Sequence, residues 1–586
     1  MRRTPIIALI ILSILFLASC SRETTSEDSV DSDEDLADNI AEVDRNLKLL
    51  YWQAPSTLNP YLSSGTKDIE AASIVIEPLA HYDANAKKVP ILAERVPTVE
   101  NGDISEDYRS ITWHLRQDIV WSDGTPLTSA DVVFSWKYCT HEEAGCTGKD
   151  SFRDVEQVVA VDDHTVRIDF TKPAPFPFGP FVGSVSPVLQ YQQFKDCLGL
   201  RAQECTEANF YPIGTGPFIV DEFRANDTVQ YRANPHYREE GRPFFDTVVI
   251  KGGGDAASAA RAVLQTGEFD YAWNLQVEPE VLANMRNAGR GEVLTAFGSQ
   301  VERIMVNQTN EDPSLDADTR SVYLNGNNPH PFLSDISVRR ALSLAIDRQI
   351  LVDVGYGIAG QPTCNVIPLP EQYVSTNNED CKTQNIDEAN RILDEAGWIK
   401  GSDGIRAKDG VRLSLLYQTS TNSVRQGTQS LIKGMWQQIG VETELRNIDA
   451  AVFFGGDPGS PDTLQKFFAD VQMYTNNFEG NDPSNYVEGW QCGNVPVPEN
   501  QWVGPNISRG CSEEFDSLLD TLSETFDVDE RVAIIKQLND IVVQNVWEIP
   551  LIHRARVSAK SNTLKGFELN GWDSELWTIA EWYREE

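Results

Sequence analysis

The sequence predicts an α/β protein with mixed sheets, on two kinds of pattern. Short β-branched or aromatic runs bounded by turn residues recur along the chain, the clearest at 47–52, 111–115, 165–170, 229–232, 247–250 and 413–417. Between them lie segments with apolar residues at helical spacing, and this intermixing is typical of α/β architecture. The 586 residues, 41% of them apolar, are enough for more than one domain.

Four segments have the pattern of helices. Residues 337–350 carry an apolar stripe, and Asp335 or Ser337 is placed to cap its start. Residues 387–396 are followed by Gly397, the usual residue just past a helix C-terminus. The other two predicted helices are 423–438 and 529–546.

Residues 1–19 have the layout of a signal peptide. Arg2 and Arg3 precede an apolar run at 6–17, which is shorter than the roughly 20 apolar residues that span a bilayer. The sequence Leu-Ala-Ser-Cys at 17–20 resembles a bacterial lipobox, in which the Cys20 thiol receives a diacylglycerol. The alternative is an ordinary secreted protein that is cleaved near Ser19.

An acidic flexible tether is predicted for residues 20–46, because the segment has almost no large apolar residue to bury. The whole chain has a formal net charge of -39, with 88 acidic and 49 basic residues. So negative a surface repels nucleic acid and anionic lipid headgroups. We therefore expect no nucleic-acid partner, and membrane contact through the lipid anchor only.

Eight cysteines remain after Cys20, and an even number in an exported chain favours disulfides. No Cys-x-x-Cys occurs among them, which removes the simplest zinc or redox site. Eight cysteines allow about 105 connectivities. Pairing of nearest neighbours is the simplest of these, and it predicts the bonds Cys139–Cys146, Cys197–Cys205, Cys364–Cys381 and Cys492–Cys511.

The common catalytic signatures are absent. The sequence has no Gly-x-x-x-x-Gly-Lys-Ser/Thr phosphate loop, no His-Glu-x-x-His and no Gly-x-Ser-x-Gly. Its 7 histidines are scattered without metal-ligand spacing. We therefore expect a protein that is not an enzyme and that holds no catalytic residue, metal or cofactor, with an exported hydrolase as the less favoured alternative.

The segment 110–136, SITWHLRQDIVWSDGTPLTSADVVFSW, predicts a strand, a turn at 122–126 and a helix capped by Thr128. This segment resembles the signature of the oligopeptide/dipeptide-binding family of ABC importers, which are extracytoplasmic solute-binding proteins. Further similar motifs follow in the family's order, at 58–60, 77–79, 90–94, 212–218, 234–237, 267–270, 332–335, 345–348, 395–398 and 482–483. Their order across almost the whole mature chain makes the resemblance specific.

The resemblance implies a periplasmic-binding-protein-like clamshell of two jaws with mixed sheets plus an inserted third subdomain. The first lobe would be discontinuous, made of 47–75, 208–306 and 547–586. The inserted subdomain would be 76–207 and the second lobe 307–546. A ligand would lie between jaws that close by hinge motion.

The resemblance also implies where the ligand binds. In relatives that take peptides, the ligand backbone pairs like an added strand with extended segments on both jaws. Ser64, Gly65 and Thr66 match the segment of the first jaw. Tyr474, Thr475 and Asn476 resemble that of the second.

A carboxylate near the second segment pairs with the ligand ammonium in those relatives. This sequence departs from the pattern, because asparagine stands where aspartate is expected and Asp482-Pro483 comes about two residues late. Glu479 is then the first candidate anchor and Asp482 the second. Asp482 is also placed to cap a helix that begins at the proline.

The expected function is therefore capture of peptides by a monomeric, lipid-anchored protein outside the cytoplasm, and their delivery to ABC permease subunits. A non-peptide solute, such as an oligosaccharide or a metal complex, is the alternative. The sequence leaves open whether the anchor is in an inner or an outer membrane.

Overall fold

The computed structural model describes residues 44–143, 145–478 and 480–585. Three sequence predictions lie outside this part of the chain: the signal peptide with Cys20, the tether up to residue 43, and Glu479. Within the described ranges, no helix is both long and apolar enough to cross a membrane.

The strands and helices alternate along the described part of the chain. Its strands are β1 Asn46–Tyr51, β2 Ala80–Tyr82, β3 Lys88–Pro90, β4 Ser110–His114, β5 Val155–Asp162, β6 Thr165–Phe170, β7 Phe218–Arg224, β8 Thr228–Ala233, β9 Thr247–Gly252, β10 Tyr271–Ala272, β11 Gly291–Val306, β12 Gly360–Pro362, β13 Ile399–Lys400, β14 Arg406–Lys408, β15 Val411–Arg412, β16 Ser414–Ser420, β17 Glu442–Ile448, β18 Val471–Asn476, β19 Glu548–Ser561, β20 Leu564–Lys565 and β21 Tyr583–Arg584. Its α-helices are α1 Thr66–Ser73, α2 Ser129–Thr140, α3 Tyr191–Phe194, α4 Thr206–Phe210, α5 Ala256–Arg261, α6 Pro279–Arg286, α7 Ile336–Leu344, α8 Arg348–Gly355, α9 Ile386–Glu395, α10 Ser423–Gln438, α11 Ala450–Phe453, α12 Ser484–Val487, α13 Glu513–Glu524 and α14 Val528–Gln544.

One large mixed sheet runs through the molecule. Its strand order is β17-β16-β18-β11-β19-β10-β1-β9-β8-β7, and β12 also pairs with β19. The pairs β16–β17, β16–β18, β1–β9 and β1–β10 are parallel, whereas β11 and β19 are antiparallel. A separate sheet of β4, β6 and β5 lies in the region 76–207. The predicted α/β class with mixed sheets is confirmed.

The long strands β11 and β19 connect two hydrophobic clusters. Their register shifts between Phe297 and Val301, so each strand has two differently paired halves. Ile304 of β11 and Ile549 of β19 pack with apolar residues of α7 and β16, whereas Val557 packs near α5. The strands therefore pass from one core to the other, which is where the predicted hinge between lobes would lie. The predicted lobe bounds stay a prediction.

The region 76–207, which is predicted to be an insertion, shares its core with the strands before and after it. Ile111 and Trp113 of β4 belong to the same buried cluster as Leu49 of β1 and Ile250 of β9. At the start of α2, the Asp131 carboxylate accepts a 2.9 Å hydrogen bond from the Thr128 amide, as the predicted capping motif requires.

The helix predicted at 337–350 is wrong in one respect, because the chain forms two helices there. Asp335 caps α7 by accepting from the Ser337 amide. After Leu344 the chain turns, and Asp347 caps α8 by accepting from the Ile350 amide. The apolar spacing continues across the break, and only the second capping aspartate marks it.

The other three predicted helices form within one or two residues of their expected ends, as α9, α10 and α14. Gly397, just past α9, has φ +84, the left-handed conformation that glycine adopts at little cost. The four disulfides are the four predicted pairs, Cys139–Cys146, Cys197–Cys205, Cys364–Cys381 and Cys492–Cys511.

Candidate functional site

A cavity of about 640 Å³ lies where the two long strands pass between the hydrophobic clusters. Gln300 of β11 and Arg554 of β19 line it at that crossing. One side is formed from the ranges 53–67 and 140–153, and the other from 454–477 and 493–507. Its volume falls within the range of about 300–1,000 Å³ that is usual for small-molecule sites.

The predicted segment Ser64, Gly65 and Thr66 lines this cavity. Ser63 (φ -148, ψ 140) and Gly65 (φ -82, ψ 118) have extended backbones, and α1 begins directly after them. The fully buried carboxylate of Asp68 holds the segment in place, because it accepts a 2.6 Å hydrogen bond from the Ser63 hydroxyl. A short extended segment therefore faces the cavity from the first side.

The second predicted segment, Tyr474, Thr475 and Asn476, also lines the cavity and forms the end of β18. β11 pairs with all of β18, whereas β16 pairs with it only from Val471 to Met473. The last three residues of β18 are thus paired along one edge only. Such an edge can accept another extended chain.

A buried network of charged groups forms the wall beside Thr475. The Glu302 carboxylate binds the Arg425 guanidinium at 2.8 and 3.2 Å and accepts from the Thr475 hydroxyl at 2.5 Å. Arg554 donates to Thr475 Oγ1 at 3.1 Å and to Asn274 Oδ1 at 2.9 Å. Burial raises the pKa of the Glu302 carboxyl, but Arg425 and Arg554 lower it more, so Glu302 stays ionised.

A second charged cluster lies next to it, around Arg556. This guanidinium donates to Glu70 Oε1 at 3.0 Å, and Glu70 also accepts from the Ser574 hydroxyl at 2.6 Å. Glu575 lines the cavity and lies 3.9 Å from Arg556. The pKa of Glu70 is raised to about 7, because burial raises it more than Arg556 lowers it and the neighbouring Glu575 adds to the rise.

The chain between Cys492 and Cys511 forms much of one wall. The disulfide closes this segment, whose residues that line the cavity are Gly493, Asn494, Asn500, Val503, Gly504, Pro505 and Ile507. Asn506 fixes its fold by donating to the carbonyls of Trp490 and Gly510 at 3.0 and 2.7 Å. The disulfide therefore constrains a wall of the site directly.

Amide side chains and a few aromatic rings complete the lining. Trp273 contributes one ring, held by stacking on Tyr51 with centroids 5.0 Å apart. The lining amides are Gln53, Asn274, Gln300, Gln465, Asn476, Asn477, Asn494 and Asn500. A site rich in amides and hydroxyls can both donate to and accept from a polar solute.

The family model for bacterial extracellular solute-binding proteins, family 5 (middle part), matches residues 87–495. This match covers more than half of the chain. The chain belongs to this family. As a family 5 solute-binding protein it is a component that binds a solute outside the cytoplasm, and members of the family are binding proteins.

Two curated relatives are similar over most of this solute-binding protein. Protein XP55 of Streptomyces lividans is 27% identical over 421 residues, which is 70% of each chain. The glutathione-binding protein GsiB of Escherichia coli is 24% identical over 516 residues, covering 87% of this chain and 90% of that one.

Solved structures share the fold. The oligopeptide-binding protein AppA of Bacillus subtilis, in complex with a nonapeptide, superposes with a TM-score of 0.76 at 20% identity, covering 92% of this chain and 99% of that one. NikZ of Campylobacter jejuni, in complex with Ni(L-His), gives a TM-score of 0.74 at 21% identity over the same shares. At this identity the likeness shows the fold, which is the predicted periplasmic-binding-protein fold.

The structure brings six of the eight residues predicted for ligand binding to one cavity. Asp482 is not among the residues that line it. Its carboxylate accepts a 2.8 Å hydrogen bond from the Ser484 amide at the start of α12 and lies 3.5 Å from Arg531. Glu479 lies outside the described residues.

Several residues that line the cavity were not predicted from the sequence. Arg554 and Arg556 lie two positions apart in a long apolar run, so both are on the same face of the strand. Two arginines on one face of a buried strand indicate a polar site. Arg425 and the segment 493–507 carry no comparable signal, because only the folded sheet brings them to the cavity.

Proposed function

We propose that this solute-binding protein captures short peptides and delivers them to the permease subunits of an ABC importer. One observation carries the proposal: the segments 64–66 and 474–476 face one cavity, and β18 has a free edge there. A peptide in extended form would add to that edge through main-chain hydrogen bonds. Such pairing is largely independent of side-chain identity.

The named relatives support a peptide over other solutes. GsiB is named for glutathione, and AppA was solved with a nonapeptide. A cavity of about 640 Å³ suits a short peptide, and its amides match the alternating donors and acceptors of a peptide backbone.

A non-peptide polar solute is the second candidate. Eight amide side chains and Trp273 around one cavity would also suit a sugar or another polar molecule. NikZ, which shares the fold, was solved with Ni(L-His).

Mass spectrometry of the ligand released from the purified protein distinguishes the two. We expect peptides of a few residues. Release of sugars or metal complexes alone, together with no calorimetric binding of di-, tri- and tetrapeptides, would refute the peptide proposal.

We further propose that Cys20 carries the lipid and that the folded body is a tethered monomer. Cys20→Ala should move the protein from the membrane fraction to the soluble extracytoplasmic fraction, or leave it as unprocessed precursor. Incorporation of labelled palmitate into the Cys20→Ala protein would contradict the anchor. Light scattering of the mature body without its lipid tests the monomer.

A further inference from the structure

Arg554 is a deeply buried cation without a closely bound carboxylate. Its side chain is 5% exposed, and its two close hydrogen bonds go to neutral acceptors on Thr475 and Asn274. Its one ion pair within the described residues is to Glu302 Oε2 at 3.9 Å, and Arg425 already holds that carboxylate at 2.8 Å. Two guanidiniums therefore share one counter-ion.

This arrangement is costly in the absence of a ligand. A buried charge without its own partner destabilises the folded protein unless another charge or a metal compensates it. Burial lowers the pKa of the Arg554 guanidinium, although Glu302 opposes this. Arg554 lines the cavity, so a solute that enters it can supply the missing carboxylate.

The other charges around the cavity also favour an anionic solute, because most of the groups that line it are cationic and most of their carboxylate partners lie behind them. Six cationic side chains line it, against the carboxylates of Asp150 and Glu575. The carboxylates of Asp68, Glu70 and Glu302 pair with lining cations but do not line the cavity themselves. In a chain of net charge -39, a solute in this cavity thus meets mainly cationic groups.

Glu70 can adjust the balance of this wall. With Glu70 ionised, the carboxylates of Glu302, Glu70 and Glu575 equal in number the guanidiniums of Arg425, Arg554 and Arg556, but Glu70 and Glu575 pair with Arg556 and none of the three hydrogen-bonds Arg554. The pKa of Glu70 is raised to about 7 by burial, so a proton is readily taken up there near neutral pH. When Glu70 is protonated, the wall loses one negative charge, and the carboxylate of an incoming anion can replace it.

We propose that a carboxylate of the bound solute pairs with Arg554 and that the protein selects anionic solutes on this basis. The inference rests on the proposed function, since it takes the solute to be a short peptide. A peptide supplies a carboxylate at its C-terminus or on an acidic side chain, and the two sources are separable by experiment.

The test is calorimetry of wild type and Arg554→Gln with two peptide pairs. Ala-Ala-Ala against its C-terminal amide probes the terminal carboxylate, and Ala-Glu-Ala against Ala-Gln-Ala probes the side chain. In wild type, removing the carboxylate that Arg554 reads should weaken binding about 30-fold or more, as expected for a desolvated pair. In Arg554→Gln the same removal should change affinity less than threefold.

Two variants control for folding and for charge. Arg554→Lys keeps the positive charge but lacks the planar guanidinium, so it should retain part of the difference in affinity between each peptide and its partner without the carboxylate. Arg446→Gln removes one positive charge from β17, outside the cavity lining, and should discriminate like wild type. Thermal unfolding shows which variants are folded, and if Arg554→Gln is not, Arg554→Lys decides the comparison.

The outcomes separate this inference from the proposed function. If peptides bind but carboxylate removal has the same effect with and without Arg554, the inference is wrong and peptide capture stands. If no peptide binds, peptide capture is wrong, and thermal shifts with glutarate decide the inference. Glutarate should then stabilise wild type more than Arg554→Gln, and equal or absent shifts overturn the pairing.

Discussion

Ser64 Oγ donates a 2.9 Å hydrogen bond to the main-chain carbonyl of Phe454, 390 residues further along the chain. Beside it, Ser63 and Gly455 form an antiparallel β-bridge. Ser64 belongs to the first side of the cavity and Phe454 to the second. The structure therefore has the two sides in direct contact, as expected for a closed solute-binding cleft.

Removal of a second contact between the two sides should weaken closure. Arg153 Nη1 lies 3.1 Å from Glu488 Oε2, and both side chains are mostly buried. Because Glu488 does not line the cavity, Glu488→Gln leaves the solute contacts intact. Because Arg153 keeps its ion pair with Asp150, we expect a loss of only about 1 kcal/mol, or about fivefold in affinity, measured by calorimetry. Glu388→Gln, which removes an exposed ion pair with Arg391 on α9, should have no effect.

The disulfide Cys492–Cys511 should matter for binding more than the others. Replacing both cysteines by serine should lower the free energy of unfolding by about 3 kcal/mol and also weaken solute binding, because the closed segment lines the cavity. The matched control is Cys197–Cys205, whose intervening residues do not line the cavity. Its removal should lower stability similarly and leave affinity unchanged. Equal affinity losses in both variants would contradict the prediction.

Glu479 remains the proposed anchor of the ligand's ammonium group. If the pair is desolvated on closure, Glu479→Gln should cost roughly 3–5 kcal/mol, or about two to four orders of magnitude in affinity for a free peptide. An N-acetylated peptide should bind wild type and variant alike. Asp482→Asn is the control, because Asp482 is held by Ser484 and Arg531. Calorimetry that shows no effect of acetylation on wild type would exclude the anchor.

The raised pKa of Glu70 predicts that the stability of the folded protein depends on pH. This pKa is raised by burial from 4.5 to about 7 in the folded protein, so folding favours the protonated form. This contribution is complete below pH 4.5 and is lost as the pH rises through 7, by up to about 3 kcal/mol. Glu70→Gln cannot titrate, so its unfolding temperature should fall less than that of wild type between pH 5 and pH 8.

The comparison with Glu70→Gln is necessary because other groups titrate in the same window. Burial also raises the pKa of Glu311 to about 7, and this carboxyl contributes the same trend in both proteins. Only the difference between the two pH profiles belongs to Glu70. Parallel profiles would show that Glu70 is already ionised at pH 5.

Local sequence determined the parts of this protein that depend on near neighbours. The six strands named from the sequence, most ends of the predicted helices and the four disulfides follow from patterns within about twenty residues, since the paired cysteines are only 7 to 19 positions apart. The family motifs placed Ser64 and Tyr474 on the cavity. The interruption between α7 and α8 was not predicted, because the apolar spacing continues across it and Asp347 is the only capping residue that marks it.

The tertiary structure alone decided the electrostatics of the site. Glu302 and Arg425 are 123 positions apart, and Thr475 and Arg554 are 79 apart, yet all four meet in one buried network. Their pairing depends on the order of β18, β11 and β19 in the sheet, which no local pattern encodes. Charge pairing inside a protein is set by distance and burial, and both arise only when remote segments pack together.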